Sequence, residues 1–289
     1  CTVPVYFADS RELADLERDV VRPLAPDRVA IVSDANVFAC HGRVLETLLA
    51  RAGHAVATVV LPPGEVSKTP EVAAEVAGAF CENGLSRRSL VLALGGGVVG
   101  DLAGFVAGIY MRGIAYIQVP TSLLAQVDSA IGGKVGVNLH CAKNTLGLFH
   151  QPAAVWVDPR YLATLPAAEY DGAFGEVIKY AMTLDGELWE RLAALPSLAA
   201  VRGDAAFNVG LVRRSVARKA EVVAADETEQ GLRRVLNFGH TAGHAFEAAG
   251  EYRRFRHGEA VALGMALAQA LGRRLGCVDA AWADAGVAL

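Results

Sequence analysis

Residues 89–120, SLVLALGGGVVGDLAGFVAGIYMRGIAYIQVP, carry the decision about the fold. SLVLALGGG is a continuous apolar run that ends in three glycines, the pattern of a strand buried on both faces of a parallel sheet. VVGDLAGFVAGIYM then continues at helical spacing, and AYIQVP returns as a strand. Strand, glycine turn, helix and strand together form the architecture of a nucleotide site.

The rest of the first half alternates in the same way. The strand RVAIVSD precedes a helix near VLETLLARAG, and HAVATVVLPPGE precedes a helix near EVAAEVAGAFCENG. Such alternation predicts an α/β, doubly wound, Rossmann-like domain. Beyond Leu165-Pro166 strand signals fade. Ala-, Leu- and Val-rich periodic segments follow, broken by LPSLAAVRGD and by the Gly- and Arg-rich stretch before VLNFGH. The expected division is an α/β domain over 1–165 and an all-helical domain over 166–289, expected to be truncated at its C-terminus.

The 289 residues are 53% hydrophobic, enough for a sizeable core. With 27 Lys plus Arg against 31 Asp plus Glu, the net charge of -4 gives no general attraction to nucleic acid or anionic membrane, so any phosphate site is local. Charged residues and glycines interrupt each apolar stretch short of the ~20 residues a bilayer span needs. The start, CTVPVYFADSRELADLERDV, has no basic region followed by an apolar core, so no secretory signal is expected there. Cys1, Cys40, Cys81, Cys141 and Cys277 are scattered and never form C-x-x-C, so reduced thiols in a cytoplasm are expected.

Gly95, Gly96, Gly97 and Gly100 follow G-G-G-x-x-G-D, which differs from the usual dinucleotide fingerprint. Their N–H groups at a helix start suit a pyrophosphate, and glycines also serve plain tight turns. Asp34 at a strand end suits a ribose or, equally, a helix N-cap. Glu65 and Lys68 in PPGEVSKTP suit a cofactor's hydroxyls and phosphate, or a solvated turn and helix start.

In FGHTAGHAFE, His240 and His244 are four apart on one helix face, where two imidazoles can share a metal. A third ligand is then needed, and His257 in RFRHGEAV and Glu176 in GAFGEVIKY are the candidates. Glu176 and Lys179 in one apolar helix read either as a compensated site pair or as a structural ion pair. Asp128 and Lys134 flank a double glycine in AQVDSAIGGKVGVN, and Lys143-Asn144 follows in another loop. Lys134, Lys143, Lys219 and Arg233 each read singly as a surface charge; together they suit an anion pocket.

LALGGGVVGDLAGFVAGIYMRGI, QVPTSLLAQVDSAIGGKVGVN, KNTLGLFHQP, GEVIKYAM and LNFGHTAGHAFE with RHGEAV, in this order and spacing, resemble the 3-dehydroquinate synthases, a family of sugar-phosphate cyclases. The resemblance runs from about Asp34 to Met265. It implies a divalent metal, zinc or cobalt, on Glu176, His240 and His257. It implies NAD on Asp34, Glu65, Lys68, Gly95, Gly96, Gly97, Asp101, Thr121 and Ser122, with Lys143 and Thr164 also assigned to the cofactor. It implies substrate contacts from Asp128, Lys134, Asn144, Lys179, Lys219, Arg233, Asn237 and His244, with Lys134, Asn144, Arg233 and His244 on the leaving phosphate. Arg112 in YMRGI matches a position that reaches a neighbouring subunit, which implies a homodimer. The implied reaction converts 3-deoxy-D-arabino-heptulosonate 7-phosphate to 3-dehydroquinate by transient oxidation, phosphate elimination, reduction, ring opening and aldol closure.

Two departures from the family pattern stand out: PTS replaces PTT, keeping a hydroxyl at Ser122, and the sequence ends at Leu289, where members continue for several dozen residues that include a late lysine. Three other readings stay open. An amino-dehydroquinate synthase or another sugar-phosphate cyclase of secondary metabolism would share these motifs, an iron-type alcohol dehydrogenase would share the two-domain plan, and a non-catalytic scaffold would fit the short end.

Overall fold

The computed structural model describes residues 2–140, 142–250 and 254–288. Cys1 and Cys141 lie outside the described residues; Cys40, Cys81 and Cys277 carry free thiols. The chain forms two compact units, Cys1–Thr164 and Leu165–Leu289.

The first unit is built on strands β1 (Val5–Phe7), β2 (Val29–Asp34), β3 (Val56–Leu61), β4 (Leu90–Gly95), β5 (Ala115–Pro120) and β8 (Ala154–Val157). They pair parallel in the order β1-β8-β5-β4-β2-β3. Alternate residues feed opposite faces. Ala30, Val32, Val91 and Ala93 enter one core with Phe80 and Val106, whereas Val29, Ile31, Leu90 and Leu92 enter another with Leu45 and Trp156. Both faces are therefore covered, which is why β4 is apolar throughout. Burying Phe80 completely contributes about 3 kcal/mol.

Helices α1 (Arg43–Arg51), α2 (Pro70–Glu82) and α3 (Gly97–Ile109) make the crossovers. Thr69 caps α2, its side chain accepting from the Val72 N–H. After β2 the chain steps to β3 on one side, and β4 then lies on the other. The carboxyl ends of β2 and β4 thus flank a topological switch point, where open sheets of this type bind ligands.

The structure corrects one expectation. Lys134–Leu139 (β6) and Ala142–Phe149 (β7) form an antiparallel hairpin, so Lys143 and Asn144 lie in a strand and not in a loop. Val135 and Val137 alternate into the core, and Gly136 faces Gly147 across the pair so closely that a Cβ on Gly136 would stand 2.8 Å from the Leu146 carbonyl oxygen.

Among its described residues the second unit is helical. Its helices include α4 (Phe174–Leu184), α5 (Gly186–Ala193), α6 (Ala205–Ala225), α7 (His240–Ala249), α8 (His257–Arg274) and α9 (Ala280–Ala288). Asp185 caps α5 through the Leu188 N–H at 3.0 Å, and Asp204 caps α6 through the Phe207 N–H at 2.9 Å. Glycines set the close contacts. A Cβ on Gly264 of α8 would stand 2.0 Å from the carbonyl oxygen of Gly239, and one on Gly175 of α4 would stand 2.0 Å from that of Gly258. Only hydrogens fit there, so α4, α7 and α8 approach at backbone distance. No described helix is long and apolar enough to cross a membrane.

Candidate functional site

The glycine contacts bring three ligand-type side chains to one point of the helical unit. Glu176 of α4 is completely buried, and His240 and His257 occupy the first positions of α7 and α8. Nε2 of His240 lies 3.4 Å and Nε2 of His257 3.6 Å from Oε1 of Glu176. These separations are long for hydrogen bonds. They match the edge of a tetrahedron, because ligand atoms bonded at about 2.1 Å to a tetrahedral zinc stand about 3.4 Å apart. Two imidazoles and one carboxylate also leave the fourth position open. The donor set therefore fits a divalent ion.

The electrostatics separate the two rings. Burial lowers the pKa of His240, helped by the charges of Lys179 and His257, with Glu176 opposing. Burial acts the same way on His257, but the facing carboxylates of Glu176 and Glu247 outweigh it and push that ring up to about 9. Glu247 is 2% exposed, with Oε2 3.3 Å from Nδ1 of His257. Sequence reasoning passed over Glu247, although HTAGHAFE places it three residues after His244 on the same helix face. His240 and His244 fall in different ligand groups, and not in the shared one that their helical spacing suggested. Glu176, His240 and His257 converge, and exposed His244 groups instead with Glu247 and His257.

Lys179, Lys219 and Arg233 are 1%, 7% and 1% exposed, so the reading as single surface charges fails for Lys219 and Arg233. Buried cations are costly unless anions face them. Lys179 is ion-paired with Glu176, and Arg233 donates through Nη1 to the carbonyl oxygen of Glu227 at 2.5 Å, while its own N–H donates to Asp226 at 3.0 Å. Asn237 is exposed and donates to Glu229 at 2.6 Å.

The α/β unit presents its own cluster at the carboxyl ends of β2 and β4. Asp34 caps the turn after β2, its Oδ1 accepting from the N–H groups of Asn36 and Val37 at 2.9 and 3.1 Å, so the capping reading is realised. Gly95 passes Val99, and Gly100 passes Gln118, at distances no Cβ tolerates. A Cβ on Gly96 would meet Ser122 Oγ at 3.3 Å, and one on Gly97 would meet Ser129 Oγ at 3.1 Å. Thr121 is buried and donates its N–H to Gly95 at 2.9 Å, and Ser122 accepts from the Ala125 N–H at 3.3 Å.

Lys68 is 5% exposed, which overturns the solvated-turn reading. Its Nζ donates to Asp101 at 2.6 Å and to Oδ1 of Asn144 at 2.5 Å. Asn144 holds a left-handed φ of 54°, which asparagine tolerates better than most residues. Asn138, not anticipated from the sequence, joins the network by donating to Glu65 at 2.8 Å and accepting from the Asn144 N–H at 2.8 Å.

Lys134 is exposed at the start of β6, Asp128 and Lys143 are half-buried, and Thr164 is exposed, donating to the Tyr161 carbonyl at 3.0 Å. Arg112 is exposed at a φ of 67°, at the end of the turn Tyr110–Arg112.

Comparison with known proteins completes this picture. Residues 58–172 match the family described as 3-dehydroquinate synthase N-terminal, and residues 173–289 match the one described as 3-dehydroquinate synthase C-terminal. The 3-dehydroquinate synthase of Gloeobacter violaceus is 51% identical over 242 residues; the match covers 84% of this chain and 66% of that relative's length. A solved 2-deoxy-scyllo-inosose synthase complexed with carbaglucose-6-phosphate, NAD+ and Co2+ superposes with a TM-score of 0.89 at 28% identity, over 98% of this chain and 77% of that one. ValA, the 2-epi-5-epi-valiolone synthase of Streptomyces hygroscopicus subsp. jinggangensis 5008, with NAD+ and Zn2+ bound, superposes with a TM-score of 0.86 at 29% identity, over 100% of this chain and 86% of that one.

Proposed function

The chain belongs to the 3-dehydroquinate synthase family, and from that membership we propose that it is a carbon-oxygen lyase of the shikimate pathway. It converts 3-deoxy-D-arabino-heptulosonate 7-phosphate to 3-dehydroquinate with phosphate elimination. The observation that carries this reading is the His2Glu cluster of Glu176, His240 and His257 with the buried cation of Lys179 against it.

Glu176, His240 and His257 would hold zinc or cobalt. Asp34, Glu65, Lys68, the Gly95–Gly97 turn, Asp101, Thr121, Ser122, Lys143 and Thr164 would hold NAD. There the ion would supply Lewis acidity toward a substrate hydroxyl and NAD would supply reversible hydride transfer. The chain's own groups supply alignment and charge. In the helical unit Lys179, Lys219 and Arg233 offer charge-assisted donors to anionic oxygens, and Asn237 and exposed His244 add polar contacts. Asp128, Lys134 and Asn144 of the α/β unit are the other residues that the family resemblance assigns to substrate. Burial of the cations keeps water from competing for them, which favours a doubly charged phosphate over a neutral hydroxyl.

The same reading makes the protein a cytoplasmic homodimer. Arg112, exposed and in a left-handed conformation, is the residue suited to reach a second copy, and the described free thiols suit a reducing compartment.

The test follows phosphate and NADH together, with the protein, NAD, zinc or cobalt, and the heptulosonate phosphate. Phosphate release without net NADH supports the cyclase. Stoichiometric NADH overturns it in favour of an alcohol dehydrogenase, and release only from an amino analogue or another sugar phosphate moves the substrate to secondary metabolism.

A further inference from the structure

We propose that Glu247 is a positioning residue for the metal centre: its buried carboxylate accepts a hydrogen bond from Nδ1–H of His257 and thereby fixes the orientation in which Nε2 faces the ion. The inference rests on the metal-site reading of Glu176, His240 and His257.

The geometry separates the two sides of one ring. Nε2 of His257 faces Glu176 at 3.6 Å, and Nδ1 faces Glu247 at 3.3 Å. A neutral imidazole carries its proton on one nitrogen only, so an acceptor on Nδ1 frees the Nε2 lone pair for a ligand. Glu247 is 2% exposed, an expensive position for a carboxylate unless it is given such a donor. Its placement follows from the packing. Gly243, one turn earlier on α7, would bring a Cβ to 3.1 Å from the Ala260 carbonyl oxygen, so the contact of α7 with α8 is close just where Glu247 meets His257. Carboxylates placed behind metal-bound histidines commonly govern affinity by 10–100-fold.

Glu247 also stands within reach of His244 and His257 as a potential direct ligand set. A ligand and a positioning residue respond differently to substitution, and the test separates them.

Cobalt is titrated into the full chain, wild type, Glu247→Gln and Glu247→Ala, with a competing chelator, and the visible ligand-field spectrum is recorded. The expected result is one cobalt per chain in all three, with affinity reduced about 10–100-fold in Glu247→Ala and a shifted spectrum. Glu247→Gln, whose amide oxygen still accepts from Nδ1, recovers most of both. Wild-type affinity and spectrum in Glu247→Ala overturn the proposal, as does loss of a second equivalent of cobalt, which would make Glu247 a ligand. A wild-type chain that binds no cobalt overturns the metal reading itself and this inference with it. Circular dichroism and a thermal melt on each variant separate loss of fold from loss of orientation.

Discussion

Gly258 of α8 lies so close to Gly172 that a Cβ on it would stand 1.8 Å from the Gly172 carbonyl oxygen. Backbone meets backbone here, so no flexible side chain can yield. Gly258→Ala should destabilise the helical unit by about 3 kcal/mol or more, at or above the upper end of overpacking costs. Because the neighbouring residue is His257, cobalt binding should weaken in parallel. Urea denaturation and a cobalt titration check both, and a variant with wild-type stability would show that α8 slides freely past Gly172.

His257→Ala should abolish stoichiometric metal binding and leave the far-ultraviolet circular dichroism spectrum near that of the wild type. The ring is part of a site and contributes little to a core. Retention of one zinc per chain after dialysis against a weak chelator, with full turnover, would refute its assignment.

Lys68→Ala should leave Asp101 and Asn144 facing a void where an ammonium stood. Breaking a largely buried pair by removing one partner costs about 3 kcal/mol, and side-chain exposures of 6% and 19% place this pair in that class. NAD binding, followed by fluorescence or calorimetry, should weaken as well. Lys68→Met, which restores the volume without the charge, should recover little of either.

Asp185 should contribute to the acid sensitivity of the helical unit. Burial acts to raise its pKa, but hydrogen bonds from Arg214, the Leu188 N–H and Arg218 outweigh it and hold the carboxyl at about 2, below its ordinary 3.8. A depressed folded-state pKa contributes stability that is complete above about 4 and lost as pH falls towards 2. Unfolding free energy measured across that window should fall in the wild type and fall less in Asp185→Asn. Equal slopes would remove Asp185 as the cause.

The strands with the longest apolar runs were legible in the sequence because burial on both faces leaves no polar residue to confuse the pattern. β1 and β8 were not read, being short at three and four residues. β6 and β7 were read as loops because their glycines, Gly136 and Gly147, look like turn residues and serve as close-pairing residues. At the site, His240 and His244 stood out by their helical spacing, whereas the meeting of Glu176 with His240 and His257 depends on tertiary packing. Glu247 escaped notice because a carboxylate on a helix resembles a solvated one until its burial is known. The burial of Lys179, Lys219 and Arg233 is likewise a property of the packed helices and not of any local pattern.

The network around Lys68 makes ligand occupancy and hairpin order a single equilibrium. One ammonium joins Asp101 of α3 to Asn144 of β7, and Asn138 of β6 ties Asn144 to Glu65. A ligand that claims Lys68 or Asp101 must compete with the contact that ties Asn144 of β7 to Lys68. Any such ligand therefore spends part of its binding energy on loosening a hairpin it does not need to touch, and a change that already loosens the hairpin raises the ligand's affinity by the same factor.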